Sequence, residues 1–368
     1  MQRRDQTQVV TYDQGWADPR YLGHYGHVAG LKYSFSFPGG CKDASWLFQV
    51  PAYERVKAMN PGRLVRMFRG GGIAWTGQLD EPAADSTETG WTMTAHGNAT
   101  FGAQFCDIWS TWNDIDDHLD QAISRGLLWR NNGLSGTSGL WFGDQMDAGA
   151  QQISDFLNSV TVQGALAWKI AHRDGLVTIS ALPSAPNRIL VSNTPVSRTI
   201  AEDINRVFIR YQSAADNSKG AAPATHGIIS EDNTADISAH GVTETYYDVS
   251  GNGVTTSGQA QANAKNALAR FNRANFSDSF TVVPGQLLTA RGVPVDLGFE
   301  RAGSVVTPWL QNYGYGGEVN PGQVPFIAGE YEYDDTTQSG KITAFQSAFD
   351  DFSSLLAAIF PVVSTAAN

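Results

Sequence analysis

From Leu31 to Gly97 the chain alternates short apolar–polar runs with turn-forming residues at every join, and this pattern is the strongest constraint on its fold. In Leu31–Phe37 (LKYSFSF), Leu31, Tyr33, Phe35 and Phe37 share one face and polar residues the other, which is the period of a half-buried strand. Pro38-Gly39-Gly40 closes it. Trp46–Val50 is a second expected strand; Pro51 then opens a short helix, Ala52–Met59, stopped by Asn60-Pro61-Gly62. Leu64–Phe68, Ile73–Leu79 and Trp91–Ala95 complete five strands, separated by Gly70-Gly71-Gly72 and a polar loop, Glu81–Gly90. Five short strands so joined predict a small barrel or sandwich. Composition agrees: charged residues are 17%, below the roughly 25% of an ordinary globular chain, and 38 glycines favour turns over long helices.

The period changes downstream. Around 106–130, Ile115, Leu119, Ala122 and Ile123 fall on one helical face with Asn113 placed to cap. Asn131–Gly139 reads as a linker or exposed loop, and Asp144–Val160 as a helix carrying Met146, Ala150, Ile153, Phe156, Leu157 and Val160. Ala167–His172 and Leu176–Ala181 form an expected hairpin across Arg173-Asp174-Gly175. Pro183–Pro195 is turn-rich, Val207–Tyr211 a strand, Asp236–Asp248 a polar lead-in and strand, and Ser257–Phe271 an Ala-rich helix. Strands are then expected at Phe280–Val283, Pro294–Phe299, Val305–Leu310, Phe326–Tyr333 and Lys341–Phe345, before an amphipathic end, Phe349–Phe360. The stretches starting at Ile73 and Phe326 repeat one order: a strand containing Gly, an acidic loop ending in Gly, and an alternating strand. The expected fold class is mainly β with α (α+β): two similar small β-barrel modules plus helix-containing inserts. The expected boundaries are 1–105 for the first β-barrel module, 106–200 for a helix-and-hairpin middle domain, 201–275 for a connecting strand/helix region, 276–348 for the second β-barrel module, and 349–368 for the amphipathic tail.

The net charge of −11, with no basic stripe beyond Arg3–Arg4 and Arg63–Arg69, argues against tight nucleic-acid binding. Two cysteines, Cys41 and Cys106, make neither a disulfide framework nor a zinc site, and buried thiols are the expectation, with a disulfide left open. Met1-Gln2-Arg3-Arg4 opens no secretory signal, and Leu355–Val363 is too short to span a bilayer, so synthesis in a cytoplasm without membrane insertion is expected. No nucleophile elbow, phosphate-binding loop or dinucleotide fingerprint is present. His24-x-x-His27 lacks further ligands. The most enzyme-like segment is the acidic run Asp114, Asp116, Asp117, Asp120, which equally suits a helix N-terminus. Trp109, Trp112, Trp129 and Trp141 form an aromatic group suited to a core, an interface or sugar stacking. No catalytic residue, cofactor or metal is therefore expected. The alternative is a glycan-binding or glycan-cleaving protein using Trp109, Trp112, Asp114 and Asp117.

Four ordered motifs carry a family resemblance: SFSFPGG…WLFQVPAYERVKAMNPGRLVRMFRGGGIAWTGQLDEP…GWTMTAHG; the helix DAGAQQISDFLNSV before a hairpin; EDINRVFIRYQS; and ISAHGVTETYYDVSG followed by QAQANAKNALARF. In that order they resemble the tail-hub (baseplate hub or minor tail) proteins of tailed bacteriophages. Gly77, Gly97 and Asn205 match family signals, and the resemblance implies structural roles for them. It further implies a homotrimer at the tail tip, whose paired β modules form a ring of approximate sixfold symmetry. That ring would join a hexameric tail-tube ring or distal tail protein to a central spike or fibre. Tape measure protein and phage DNA would pass through without specific binding, which an acidic balance suits. The long C-terminal extension that carries enzymatic domains in some members is not seen, so no activity is carried over. The implied location is the virion.

Overall fold

The computed structural model describes residues 7–13, 21–25, 28–49, 59–84, 90–103, 105–108, 115–127, 129–131, 149–163, 166–192, 204–213, 226–250, 256–271, 279–310 and 325–345. In chain order these form β1 (Gln8–Tyr12), β2 (Tyr21–Tyr25), β3 (Val28–Ser36), β4 (Cys41–Phe48), β5 (Leu64–Arg69), β6 (Gly72–Leu79), β7 (Ala83–Ala84), β8 (Trp91–Gly97) and β9 (Phe105–Ile108). Then come α1 (Ile115–Ser124), β10 (Gly149–Gln152), α2 (Ile153–Gln163), β11 (Leu166–Ile170), β12 (Val177–Ala181), β13 (Arg188–Ser192), β14 (Arg206–Gln212), β15 (His226–Asp232), α3 (Thr234–His240) and β16 (Glu244–Asp248). The last elements are α4 (Ser257–Phe271), β17 (Ser279–Val282), β18 (Leu287–Thr289), β19 (Val305–Leu310), β20 (Phe326–Asp334) and β21 (Ser339–Ala344). The protein is mostly β, and its main sheet curls as a half-barrel.

That sheet has 14 strands, in the order β18-β13-β19-β20-β3-β4-β8-β6-β5-β1-β2, with β21 and β17 branching from β20 and β7 pairing with β8. Its centre is the antiparallel pairing of β3 with β20, which joins the two ends of the chain edge to edge. Tyr33 lies opposite Tyr333, and Phe35 opposite Tyr331. The rings stand 5.1 and 6.4 Å apart. Such aromatic pairs contribute roughly 0.5–1.5 kcal/mol each beyond their area burial. Leu31, Tyr33, Phe35 and Phe37 are all buried, as their alternation requires. One core then runs from Val9, Trp46, Met67 and Trp75 to Phe280, Tyr331 and Ala344. The repeated stretches from Ile73 and Phe326 both form antiparallel pairs, β6 with β8 and β20 with β21.

A second core, built on Ile115, Leu119, Trp129, Phe156, Trp168 and Val177, joins α1 and α2 to the β11–β12 hairpin. The unit meets the main sheet where Gly39 N donates to Trp168 O (3.2 Å) and Ile170 N donates to Gly39 O (2.7 Å). A third core lies between the sheet β15-β14-β16 and α4: Val207, Ile209 and Tyr211 face Ala260, Ala264, Ala267 and Leu268.

Several expectations are corrected. Within the helix expected over Asp144–Val160, the described residues 149–152 are strand β10, and the helix starts at Ile153. Pairing with β9, Gly149 opposite Ile108 through Gln152 opposite Phe105, overrides a helical pattern that Gly149 already weakens. The strand expected at Pro294–Phe299 is a 3-10 turn, Leu297–Phe299, capped by the Asp296 carboxylate accepting from Gly298 N. The turn-rich stretch Pro183–Pro195 contains β13, which lies in the sequence span expected as the middle domain yet pairs in parallel with β19 in the main sheet. Such non-local pairing leaves no local signal. The lead-in from Asp236 is helical: α3 starts at Thr234, capped by Asn233. The helix expected at Ala52–Met59, apart from Met59, and the tail from Phe349 lie outside the described residues.

Candidate functional site

The outward face of the main sheet is made by the residues that alternate with its core: Lys32 and Ser34 on β3, Asp43 and Ser45 on β4, Thr94 and His96 on β8, Glu330 and Glu332 on β20. A shallow groove of about 370 Å³ runs over it. At one end His96 Nδ1 faces Asp43 Oδ1 at 3.0 Å and Nε2 faces Asp80 Oδ2 at 2.9 Å. The two ring nitrogens point to different carboxylates, so the three groups do not converge on one ion. Among the described residues no grouping of three His, Cys, Asp or Glu side chains could hold a metal. Lys32 pairs with Asp334 at 3.2 Å and Lys42 with Glu330 at 2.7 Å, both in solvent, where such pairs contribute little. Cys41 is a buried free thiol, and burial pushes it up to about 12, so it supplies no nucleophile.

Beneath this face the sequence-distant parts are fastened by buried charge. Arg69 is 6% exposed at its side chain. Its Nε donates to both oxygens of Asp296, at 2.8 and 3.0 Å, and its Nη1 to Asp335 at 3.2 Å. Its Nη2 donates to Gln338 Oε1 at 3.0 Å. Burial pushes the Tyr33 and Tyr331 hydroxyls above their usual range, and they donate to Gly298 O and Leu297 O, each at 2.7 Å. The middle unit has its own fastening: Arg301 contacts both ring nitrogens of His172, donates to Ile73 O and lies over the Phe35 ring. Burial first, then the Arg301 cation, lower His172 to about 4, so the ring is neutral.

The sheet β15-β14-β16 is different. Its inner side faces α4; its outer side carries Arg206, Phe208, Arg210, Ile228, Asp232, Glu244, Tyr246 and Asp248 in register. Arg206 donates to both oxygens of Asp232 at 2.8 Å, and Arg210 to Asp248 at 2.8 Å. Tyr246, level with Phe208 on the β16 edge, is 55% exposed, and Ile228, level with Arg210 on the β15 edge, is 66% exposed. The two exposed apolar side chains thus sit on the two outer strands, with Phe208 and Arg210 of β14 between them.

No protein-family model and no curated protein sequence matches the chain. Solved structures do. The 43 kDa tail protein of prophage MuSo2 from Shewanella oneidensis superposes with a TM-score of 0.56 at 11% identity, covering 93% of this chain and 99% of its own. The prophage tail protein gp18 from Listeria monocytogenes EGD-e gives 0.54 at 10% identity, covering 97% and 99%. A tail protein from Neisseria meningitidis MC58 gives 0.56 at 12%, covering 92% and 96%. The fold is that of phage tail proteins.

Within this tail-protein fold, the residues singled out in the sequence fall in three places. Gly77 and Gly97 lie opposite each other on β6 and β8. A Cβ on Gly77 would stand 2.3 Å from His96 O, and one on Gly97 2.2 Å from Cys41 O, so backbones approach there as only glycine permits. Asn205 is 1% exposed: its Nδ2 donates to Gly241 O (2.7 Å) and Asp236 Oδ2 (3.0 Å), and its Oδ1 accepts from Thr243 N (2.7 Å). Asp117 is exposed on α1, near Asp120, which accepts from Asn131. Trp109, Trp112 and Asp114 lie outside the described residues, as does Trp141; Trp129 is buried in the second core, its Nε1 donating to Asn98 O. The sequence reading missed Arg69. A signal existed: Val65, Met67 and Arg69 occupy the same phase of β5, all buried, and an arginine in that phase demands carboxylates.

Proposed function

We propose that this chain is a structural subunit of a phage tail: a homotrimeric hub at the tail tip, joining the hexameric tail tube or distal tail ring to a central spike or fibre around the channel for genome delivery. The observation that carries the proposal is the shared fold with three proteins described as tail proteins, spanning nearly the whole of both chains in each comparison. In this reading the strands of Leu31–Gly97 and Phe280–Gln346 supply the paired β modules of the ring, and three copies of each give its approximate sixfold symmetry. The β3–β20 pairing, which holds the two stretches in one sheet, supports a subunit that bears load between neighbours. The polar stretch of that sheet's outward face on β3, β4, β8 and β20 suits a wall past which tape measure protein and DNA move without adhering. The net charge of −11 suits it as well.

Mass spectrometry of gradient-purified particles provides the test. The chain is expected in intact particles at a few copies each, and a phage deleted for its gene is expected to yield particles without functional tails. Particles that lack the chain, or infective particles from the deletion, would overturn the proposal.

A further inference from the structure

Around the tip of the β11–β12 hairpin the charges do not balance. Three arginines meet it from three parts of the chain. Arg173 stands in the turn itself, Arg66 of β5 gives its Nη2 to Arg173 O (3.2 Å), and Arg301, ahead of β19, lies against the His172 ring. The carboxylate facing His172 is that of Asp174, whose Oδ1 accepts from Leu176 N (3.2 Å). Glu300, next to Arg301 in sequence, is taken by Arg188 at 2.6 Å and by Ser304, and Lys169 lies over the Phe37 ring instead. Among the described residues Arg301 has no carboxylate partner; its guanidinium rests on the His172 nitrogens, the Ile73 carbonyl and the Phe35 ring, and its buried Nε finds no acceptor there.

Such a contact holds only while His172 is neutral. A neutral imidazole keeps a nitrogen lone pair that accepts from Arg301. A proton there removes the lone pair and sets a second cation against Arg301, with Arg173 close by and Asp174 alone to offset them. The bonds that sit beside this contact are the ones that cross from the hairpin to the main sheet. Gly39 N donates to Trp168 O, Ile170 N to Gly39 O, and Asn98 Nδ2 to Ala171 O at 3.3 Å. The backbones are tight there: a Cβ on Gly40 would stand 2.9 Å from Ile170 O. The hairpin tip is meanwhile closed by bonds of its own, Ala171 N to Leu176 O (2.8 Å) and Gly175 N to Ala171 O (2.9 Å). It can therefore leave the main sheet without coming apart itself.

We propose that the seam between the β11–β12 hairpin and the main sheet is an acid-released latch: charge gained by His172 is repelled by Arg301 and Arg173, and the hairpin lets go of Gly39 and Asn98 while the main sheet stays folded. The direction follows from the two states of the ring. In the shut latch it titrates near 4, through burial first and Arg301 second; released into solvent it returns towards 6.5 and binds more protons between those values. The latch is therefore fully shut above about pH 6.5 and loosens as pH falls towards 4. It belongs to this joint alone and does not depend on the hub reading.

The test is hydrogen exchange on the full chain, read residue by residue and corrected for the intrinsic pH dependence of exchange. At the Gly39 and Ile170 amides, whose bonds cross the seam, the opening constant should rise about tenfold from pH 7 to about pH 4.5, allowing for the part of the ring left in solvent. Amides of β3 and β20 should hold theirs. His172→Gln keeps an acceptor for Arg301 but takes no proton, and should abolish the rise. Asp174→Asn keeps the oxygen that Leu176 N bonds and should leave the rise in place. A wild-type chain without the rise would overturn the latch, as would a rise shared by β3 and β20 or one that survives His172→Gln. Loss of the rise in Asp174→Asn would overturn it too, since the titrating group would then be the carboxylate.

Discussion

Strand β3 of the main sheet and strand β16 of the small one alternate in the same way, but β16 keeps a large aromatic side chain on its exposed face. On β3, Leu31, Tyr33 and Phe35 point into the core, while Lys32, Ser34 and Ser36 point out. On β16 the exposed positions are Glu244, Tyr246 and Asp248, and the half-buried ones are Thr245 and Tyr247. At β3 and β20 the main sheet spends its aromatic residues on its own core and leaves lysine, serine and glutamate outside. The small sheet rests on three alanines and a leucine of α4 and leaves Ile228 and Tyr246 exposed on its other side. The two sheets thus rest on separate cores, which makes them separable by mutation.

The sharpest break should come at the fastening of the main sheet. Arg69→Met leaves Asp335, 16% exposed, and Asp296, 45% exposed, without their cation; allowing for solvent at Asp296, it should cost about 2–3 kcal/mol in urea unfolding. A cost under about 1 kcal/mol would mean that the aromatic pairing of β3 with β20 suffices alone. Next comes the small unit. Asn205→Ala leaves the backbone groups of Gly241 and Thr243 unsatisfied, and should cost about 2 kcal/mol. Hydrogen exchange should rise in α3 and β16 while β3 and β20 stay protected, which would establish that the two sheets open independently.

The junction between the middle unit and the main sheet should respond to acid. His172 in the folded chain titrates near 4, below the usual 6.5, so the unfolded chain binds more protons between those values. Stability should therefore be full above about pH 6.5 and fall as pH drops towards 4. Allowing for the part of the ring left in solvent, the loss should be about 1–2 kcal/mol. His172→Gln should flatten that slope in a pH series of urea midpoints. The smallest effect on folding belongs to the open face. Ile228→Ser should change stability by less than about 0.5 kcal/mol, with a wild-type circular dichroism spectrum, since the side chain is 66% exposed.

Much of this was legible in the sequence where the signal is local. The period-two runs at Leu31–Phe37 and Phe326–Tyr333, the Asp174-Gly175 hairpin and the alanine face of Ser257–Phe271 each carry their structure in neighbouring residues. What was not legible is pairing at a distance. β13 depends on β19, over a hundred residues later, and β10 on β9. The exposed face of the small sheet was hidden for the same reason. Tyr246 and Ile228 lie in different strands either side of β14, and only the register of that sheet sets them on one surface. Arg69 is an intermediate case, readable from its phase in β5 but paired with carboxylates more than 200 residues away.

The central claim, a ring-forming structural subunit of a phage tail, is tested most directly by electron cryomicroscopy of tails carrying a tag on this chain. The account predicts tag density at the tail tip in threefold arrangement, with the polar face of the main sheet towards the channel. Tag density in sixfold rings repeated along the shaft, or none in the tail, would contradict it.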